Sequence, residues 1–318
     1  MGIYGVARDG RLRVEAQALD QLRIVLDPLG QAGVALALFL LVFAVALGLK
    51  LRDFLILRER PFQFLAGVAA QTVGLPLLTL LIVMALGPPP SIALGMIVVA
   101  CCPGGASSNF LTFLARGNVA YSVSLTAASS LIAAFFTPLS ILLWSHFYEP
   151  TASLLRSIEV DAGAFLLQTT VLLAVPLAVG MAISHFAPRF AEAIRKRAGQ
   201  AGALLLGGVI VYGTVQFFPI LVGALALLAP LVVFHNGAAF ALGALTGRAM
   251  GADVPTRRAL TFEVGIQNSG LALVILLSQL QGLGGAAAIA AVWGVWHLIA
   301  GGIIVLLFRR LDRRERNA

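Results

Sequence analysis

Charge is what this sequence has least of. Charged residues are 11% of its 318 positions while hydrophobic ones are 59%, and a water-soluble domain carries roughly 25% charged residues. A soluble globule is excluded, and so is a disordered chain. Cysteine is also scarce, with two residues that are neighbours, Cys101 and Cys102. Adjacent residues on a helix point about 100° apart, so a bond between them would be strained; both read as small packing residues. No His/Cys ligand cluster and no alternating basic and aromatic stretch is present, which argues against a bound metal centre and against nucleic acid as a partner.

Apolar runs are what remains. A bilayer core about 30 Å thick needs roughly 20 apolar residues per helix. Nine runs meet this, at about 30–50, 62–86, 91–116, 118–145, 161–186, 199–220, 223–247, 255–281 and 284–308. The expected fold class is therefore an all-α polytopic membrane protein with nine transmembrane helices. Residues 1–29 carry mixed charges and no clean apolar core of a signal peptide. Leu12, Leu19, Leu22, Leu26 and Leu29 share one helical face, so the segment reads as a non-spanning amphipathic helix or a disordered stretch. Residues 311–318 read as a basic cytoplasmic tail.

The net charge of +8 orients the chain. With the C-terminus in the cytoplasm, every inner segment is basic: Lys50 to Arg60, Arg116, Arg189 to Arg197, Arg248 to Arg258, and Arg309 to Arg316. Arg8, Arg11, Arg13, Arg23 and Arg156 fall outside, most of them offset by acids. This satisfies the positive-inside rule and puts the N-terminus outside, in a bacterial inner membrane.

Of the 14 acids, thirteen fall in loops, tails or span ends. Glu263 lies within the eighth span, where a charge costs about 2.5–3.5 kcal/mol on insertion scales. Two apolar runs are also interrupted by polar, glycine-bearing patches: Cys102-Pro-Gly-Gly-Ala-Ser-Ser-Asn109 in the third and Glu263-Val-Gly-Ile-Gln-Asn-Ser-Gly270 in the eighth. Backbone freed there must be buried in protein or line a wet cavity. Broken spans at corresponding places in two halves point to a secondary transporter with inverted repeats. Spans 1–4 align coarsely with 6–9, with Gln71 opposite His235 and Asn236, as in a five-plus-five repeat lacking its first helix.

At these residues the sequence resembles the bile acid:sodium symporter family. The matching stretches are Pro103 to Asn109, Ala115-Arg-Gly-Asn-Val-Ala120 with Ser122 and Thr126, Thr261 to Ala272, His235-Asn-Gly237 and Trp296-His297, over about 60–310. The resemblance implies two discontinuous helices that cross in a core domain (spans 2, 3, 4, 7, 8 and 9), a panel domain (spans 1, 5 and 6), and a substrate crevice between them. It implies one sodium held by Ser108, Asn109, Ser122, Thr126 and Glu263. A second would be held by Gln71, Glu263 and Gln267 with the carbonyls of Val264 and Ile266. Asn268 and His297 are candidate substrate contacts.

The leading reading is a sodium-coupled symporter of an organic anion, working by alternating access with two Na+ and no other cofactor. The anion would be a bile acid or steroid conjugate, or a smaller carboxylate such as pantothenate or a keto acid. No obligate protein partner is evident. The alternatives are proton coupling through Glu263, a channel, and an intramembrane hydrolase with a Ser108–His297 dyad. The dyad is disfavoured because no nucleophile motif surrounds Ser108, and an intramembrane aspartyl protease because a second intramembrane acid is lacking. An enzyme is not expected.

Overall fold

The computed structural model describes residues 19–24, 26–50, 53, 56–105, 107–216 and 218–317. Helices dominate: α1 (Pro28–Ala46), α2 (Pro61–Ala69), α3 (Leu75–Leu86), α4 (Pro90–Cys101), α5 (Ser107–Leu114), α6 (Val119–His146), α7 (Glu149–Ser157), α8 (Ala162–Phe186), α9 (Pro188–Gln216), α10 (Phe218–Ala249), α11 (Val254–Gly265), α12 (Ser269–Ser278) and α13 (Gly284–Asn317). A π-helical turn, Ala70–Gly74, joins α2 to α3. Among the described residues the extended backbone pairs only as two isolated bridges, Arg23 with Leu283 and Gly104 with Gln267.

Helix starts follow the capping residues. Asp27, Asn118, Asp161, Asp253 and Asn268 each accept, through the side chain, a backbone N–H three residues on, which satisfies a donor the helix cannot. Gly87 closes α3 in the left-handed conformation at φ +59°.

Among the described residues six helices are long and apolar enough to cross a membrane: Pro28–Ala46, Pro61–Leu86, Val119–His146, Ala162–Phe186, Val222–Ala249 and Gly284–Arg314. The chain is a multi-pass membrane protein. The burial pattern is inverted relative to a soluble protein: Leu81, Phe135, Leu167, Leu245 and Leu306 are exposed, while Gln71, Ser108, Ser122, Asn236, Glu263 and Gln267 are buried. Apolar surface on that scale is stable against lipid, not water.

The expected third and eighth spans are each two pieces. Pro90–Cys101 and Ser269–Ser278 are 12 and 10 residues long, about 18 and 15 Å at 1.5 Å per residue, too short to cross alone. Pro103 supplies no N–H and ends α4; the chain resumes helix at Ser107.

Loops gather into two groups. Asp20 Oδ1 accepts from Ser91 N (2.9 Å), Gln281 Nε2 donates to the Ile158 carbonyl (2.7 Å) and Ile24 N to that of Gly282 (2.8 Å). In the other group Asn118 N donates to the Pro255 carbonyl (2.9 Å), Arg60 pairs with Asp253 (2.9 Å) and Arg309 Nε donates to the Leu114 carbonyl (2.7 Å). α1 packs against α8 and α9.

Of the five leucines expected on one helical face, Leu12 lies outside the described residues, and residues 22–24 are extended because their backbone bonds to residues 282–284. Pro28, capped by Asp27, then starts α1. Residues 311–317 are the last turns of α13; Arg and Glu are good helix formers and nothing there breaks the helix.

Candidate cation site and crevice

The two breaks meet. Gly105 N donates to the Ile266 carbonyl (3.0 Å) and Asn268 N to the Pro103 carbonyl (2.9 Å), so Pro103–Gly105 and Ile266–Asn268 run antiparallel in direct contact around the Gly104–Gln267 bridge. The crossing satisfies backbone groups that lipid could not. It also sets the negative C-terminal end of α11, which favours cations, beside the N-terminus of α5, which favours anions.

Glu263 sits in the last turn of α11, fully buried. Its Oε1 lies 2.5 Å from Ser108 Oγ, 2.5 Å from Ser122 Oγ and 3.0 Å from Thr126 Oγ1, and its Oε2 lies 2.9 Å from Thr126 Oγ1. Ser122 and Thr126 are one turn apart on α6 and face the same way. Their hydroxyls also approach Asn109 Oδ1, at 2.8 and 3.4 Å. A hydroxyl carries one proton. Three hydroxyls therefore serve six oxygen–oxygen contacts, three more than they have protons for. Such a set of hard oxygens is suited to an alkali cation. All five residues expected at the first ion site are in this cluster.

Beside it, three buried amides bond to three consecutive carbonyls at the unwound end of α11. Gln71 Nε2 donates to the Glu263 carbonyl (2.8 Å), Gln267 Nε2 to that of Val264 (2.9 Å) and Asn236 Nδ2 to that of Gly265 (2.8 Å). Each amide thereby leaves its oxygen without a hydrogen-bond partner among the described residues. An unsatisfied buried acceptor costs about 1–3 kcal/mol, and each would bind a cation. The carbonyls of Val264 and of Ile266, expected as ligands, already accept one bond each and retain a second lone pair. Gln71 reaches the crossing from the π turn, a feature often found at functional sites.

Asn236 was not among the expected site residues. Its signal in the sequence was an amide in the apolar run of α10, at the place where the other half has Gln71.

The structure separates the two candidate substrate residues. Asn268 caps α12, accepting from Leu271 N at 3.0 Å. It lines a crevice with Val42, Val45, Pro103, Ser130, Leu173 and Leu271, between α1 and α8 on one side and α6 and the crossing on the other. That crevice holds about 20 Å³, room for little more than one water. His297 is not in it. Its Nδ1 bonds to the Trp293 carbonyl (2.7 Å) and its ring lies 5.1 Å from that indole. His235 Nε2 meets Thr79 Oγ1 at 2.7 Å, while Thr79 gives its proton to the Leu75 carbonyl; the imidazole is therefore the donor.

The sequence model of the sodium bile acid symporter family matches residues 35–224. The chain is 30% identical over 286 residues to the uncharacterized sodium-dependent transporter YocS of Bacillus subtilis, covering 89% of this chain and 85% of that one. It is 33% identical over 254 residues to the probable sodium/metabolite cotransporter BASS1, chloroplastic, of Arabidopsis thaliana, covering 79% of this chain but only 60% of the plant protein. It is 29% identical over 239 residues to the human ileal sodium/bile acid cotransporter, covering 75% and 67%. The match takes in the first break and the helices that hold Gln71, Ser122 and Thr126, and the relatives span most of this chain: it belongs to the sodium bile acid symporter family.

Proposed function

We propose that the protein is a symporter that couples the entry of an organic anion to sodium. The observation that carries this reading is the Glu263 cluster, with more oxygen contacts than protons to fill them. A cation in the cluster makes up that shortfall. The ions are cargo: one held by Ser108, Asn109, Ser122, Thr126 and Glu263, a second by Gln71, Glu263 and Gln267 with the carbonyls of Val264 and Ile266. Asn236 is added to the second set, because its free amide oxygen belongs to the same row of carbonyl-bonded amides.

Two sodium ions against the single carboxylate of Glu263 leave the crossing net positive. An anion in the crevice behind it restores balance, and this links ion binding to substrate binding. The mostly apolar lining around Asn268 supports an anion with a hydrocarbon body over a small polar acid. The names of relatives, a sodium/bile acid cotransporter among them, agree with that class. His297 takes no part in the crevice and is assigned a structural role. The protein acts as a carrier and not an enzyme.

Alternating access follows as the mode of transport: α1, α8 and α9 form the panel, the remaining helices the core, and the crevice opens to either side as the two shift. Nine crossings, with the N-terminus outside and the basic loops in the cytoplasm of a bacterial inner membrane, agree with the two groups of touching loops. One joins residues 20–24, 91, 158 and 281–284; the other joins the basic segments.

Uptake into phosphatidylcholine proteoliposomes tests the reading. Taurocholate, pantothenate and a 2-keto acid are offered with an inward sodium gradient, a potassium gradient of the same size, or a proton gradient. Accumulation driven by sodium alone supports it; equal uptake in potassium, or uptake driven by protons without sodium, contradicts it.

A further inference from the structure

A second cavity lies on the seam between α1 and α12, at the end of the molecule where residues 20–24 meet residues 281–284. It is half open and holds about 390 Å³, within the roughly 300–1,000 Å³ range of small-molecule sites. Its wall is polar: Arg23, Gln31, Ser278, Gln279 and Gln281 line it together with Ile24, Leu26 and Leu277, and among the described residues no carboxylate does.

Arg23 is held in place there. The backbone bridge from residues 22–24 to residues 282–284 fixes its Cα, and Gly282, at φ +62°, lies directly beneath the Ile24 carbonyl. One guanidinium nitrogen, Nη1, donates to the carbonyls of Asp20 (2.8 Å) and Leu22 (3.1 Å). Among the described residues Nη2 and Nε have no partner, and they form a planar pair of donors matched to a carboxylate or sulfonate. The nearby acids are engaged elsewhere: Asp20 accepts from Ser91 N and Asp27 from Gly30 N. Among the described residues no carboxylate pairs with Arg23.

The cavity and the Asn268 crevice share both walls. α1 gives Gln31 to one and Val42 to the other; α12 gives Leu277 and Leu271. At 1.5 Å per residue these are separated by about 9–16 Å along the helices.

We propose that this cavity is a vestibular site for the acid group of an organic anion, with Arg23 as its anchor. The site receives the anion before it descends the seam to the crevice. The direction of that descent rests on the proposed transport reading; binding at Arg23 does not.

The test separates the two. Gln279→Cys places a thiol in the cavity, with Gln31→Cys as the second position if the first variant does not fold. The native Cys101 and Cys102 are buried and do not compete. Labelling rates are measured in sodium-free phosphatidylcholine vesicles with anionic sulfonatoethyl and cationic trimethylammonioethyl methanethiosulfonate. The anionic-to-cationic rate ratio falls at least fivefold on adding Arg23→Ala and is largely kept with Arg23→Lys. Taurocholate or pantothenate slows labelling at least threefold, and only when Arg23 is present. In sodium-driven uptake, Arg23→Ala raises KM about fivefold and leaves the maximal rate within twofold. An unchanged rate ratio, no protection by either anion, or protection only when phosphatidylglycerol is added overturns the site. Protection without any sodium-driven uptake keeps the site and rejects the transport reading; uptake without protection rejects the site alone.

Discussion

Gln71 bonds to the backbone of Glu263 and not to its carboxylate. The amide Nε2 donates to the Glu263 carbonyl at 2.8 Å, while the carboxylate turns the other way, to Ser108, Ser122 and Thr126. One residue thus faces two sites. Its carbonyl fixes an amide whose oxygen is free, and its side chain completes a separate cluster of hydroxyls. Gly104 is the spacer between these arrangements.

A side chain at Gly104 would close that gap. A Cβ built there falls 2.6 Å from Gln71 Nε2 and 3.2 Å from Glu263 Oε2, so Gly104→Ala must push the amide off its carbonyl. Sodium affinity is expected to fall about tenfold, equivalent to roughly 1.4 kcal/mol, with normal membrane insertion. Gly33→Ala, where no atom lies within 4 Å, leaves it unchanged. Sodium titrations of thermal stability in the two variants make the comparison.

The far end of α11 is tied down by an ion pair. Arg258 is largely buried, bonds to Asp312 on α13 and to the Ala115 carbonyl (2.8 Å), and lies 5.0 Å from the Phe308 ring centroid. Removing the acid strands a buried charge, so Asp312→Ala is expected to destabilise by about 3 kcal/mol. Arg116 reaches the same acid at 3.6 Å but is mostly exposed, and Arg116→Ala changes stability by less than about 1 kcal/mol. Denaturation in detergent distinguishes the two; equal effects contradict the assignment.

Asp253, in the loop before α11, gives an acid-side signature. Hydrogen bonds from Thr256, and then Arg60, hold its carboxyl below the usual carboxylate range. A lowered folded-state pKa stabilises the fold fully above the unfolded-state value, and the contribution disappears as pH falls through the folded-state value. Thermal stability therefore declines below about pH 4 through this residue. Asp253→Asn keeps a capping oxygen but flattens that decline; an identical acid profile in the variant contradicts it.

How far the sequence disclosed this arrangement differs by element. Glu263 was legible because a lone acid in an apolar run is costly, and the two breaks because Pro103, Gly104 and Gly105 interrupt helix locally. The convergence of Ser108, Ser122 and Thr126 on that acid came from resemblance, since hydroxyls in apolar helices read equally well as interhelical contacts. Asn236 was missed as a site residue because its role depends on the Gly265 carbonyl, exposed only once α11 unwinds. The extended segment at 22–24 was missed because its leucines keep helical spacing, while its backbone is recruited by residues 260 positions further on. His297 looked equivalent to Asn268 in sequence, yet its ring turns to Trp293.

The central claim is that the Glu263 cluster binds sodium, and thermal unfolding in sodium against potassium tests it most directly. A ligand of the folded state at a hundred times its Kd adds about 2.7 kcal/mol. The wild-type protein is expected to melt higher in sodium than in equal potassium, with a midpoint that rises with sodium concentration. Glu263→Gln, which keeps the shape and removes the charge, should lose that dependence while remaining folded. A wild-type midpoint indifferent to sodium, or a Glu263→Gln variant that responds as the wild type does, contradicts the claim.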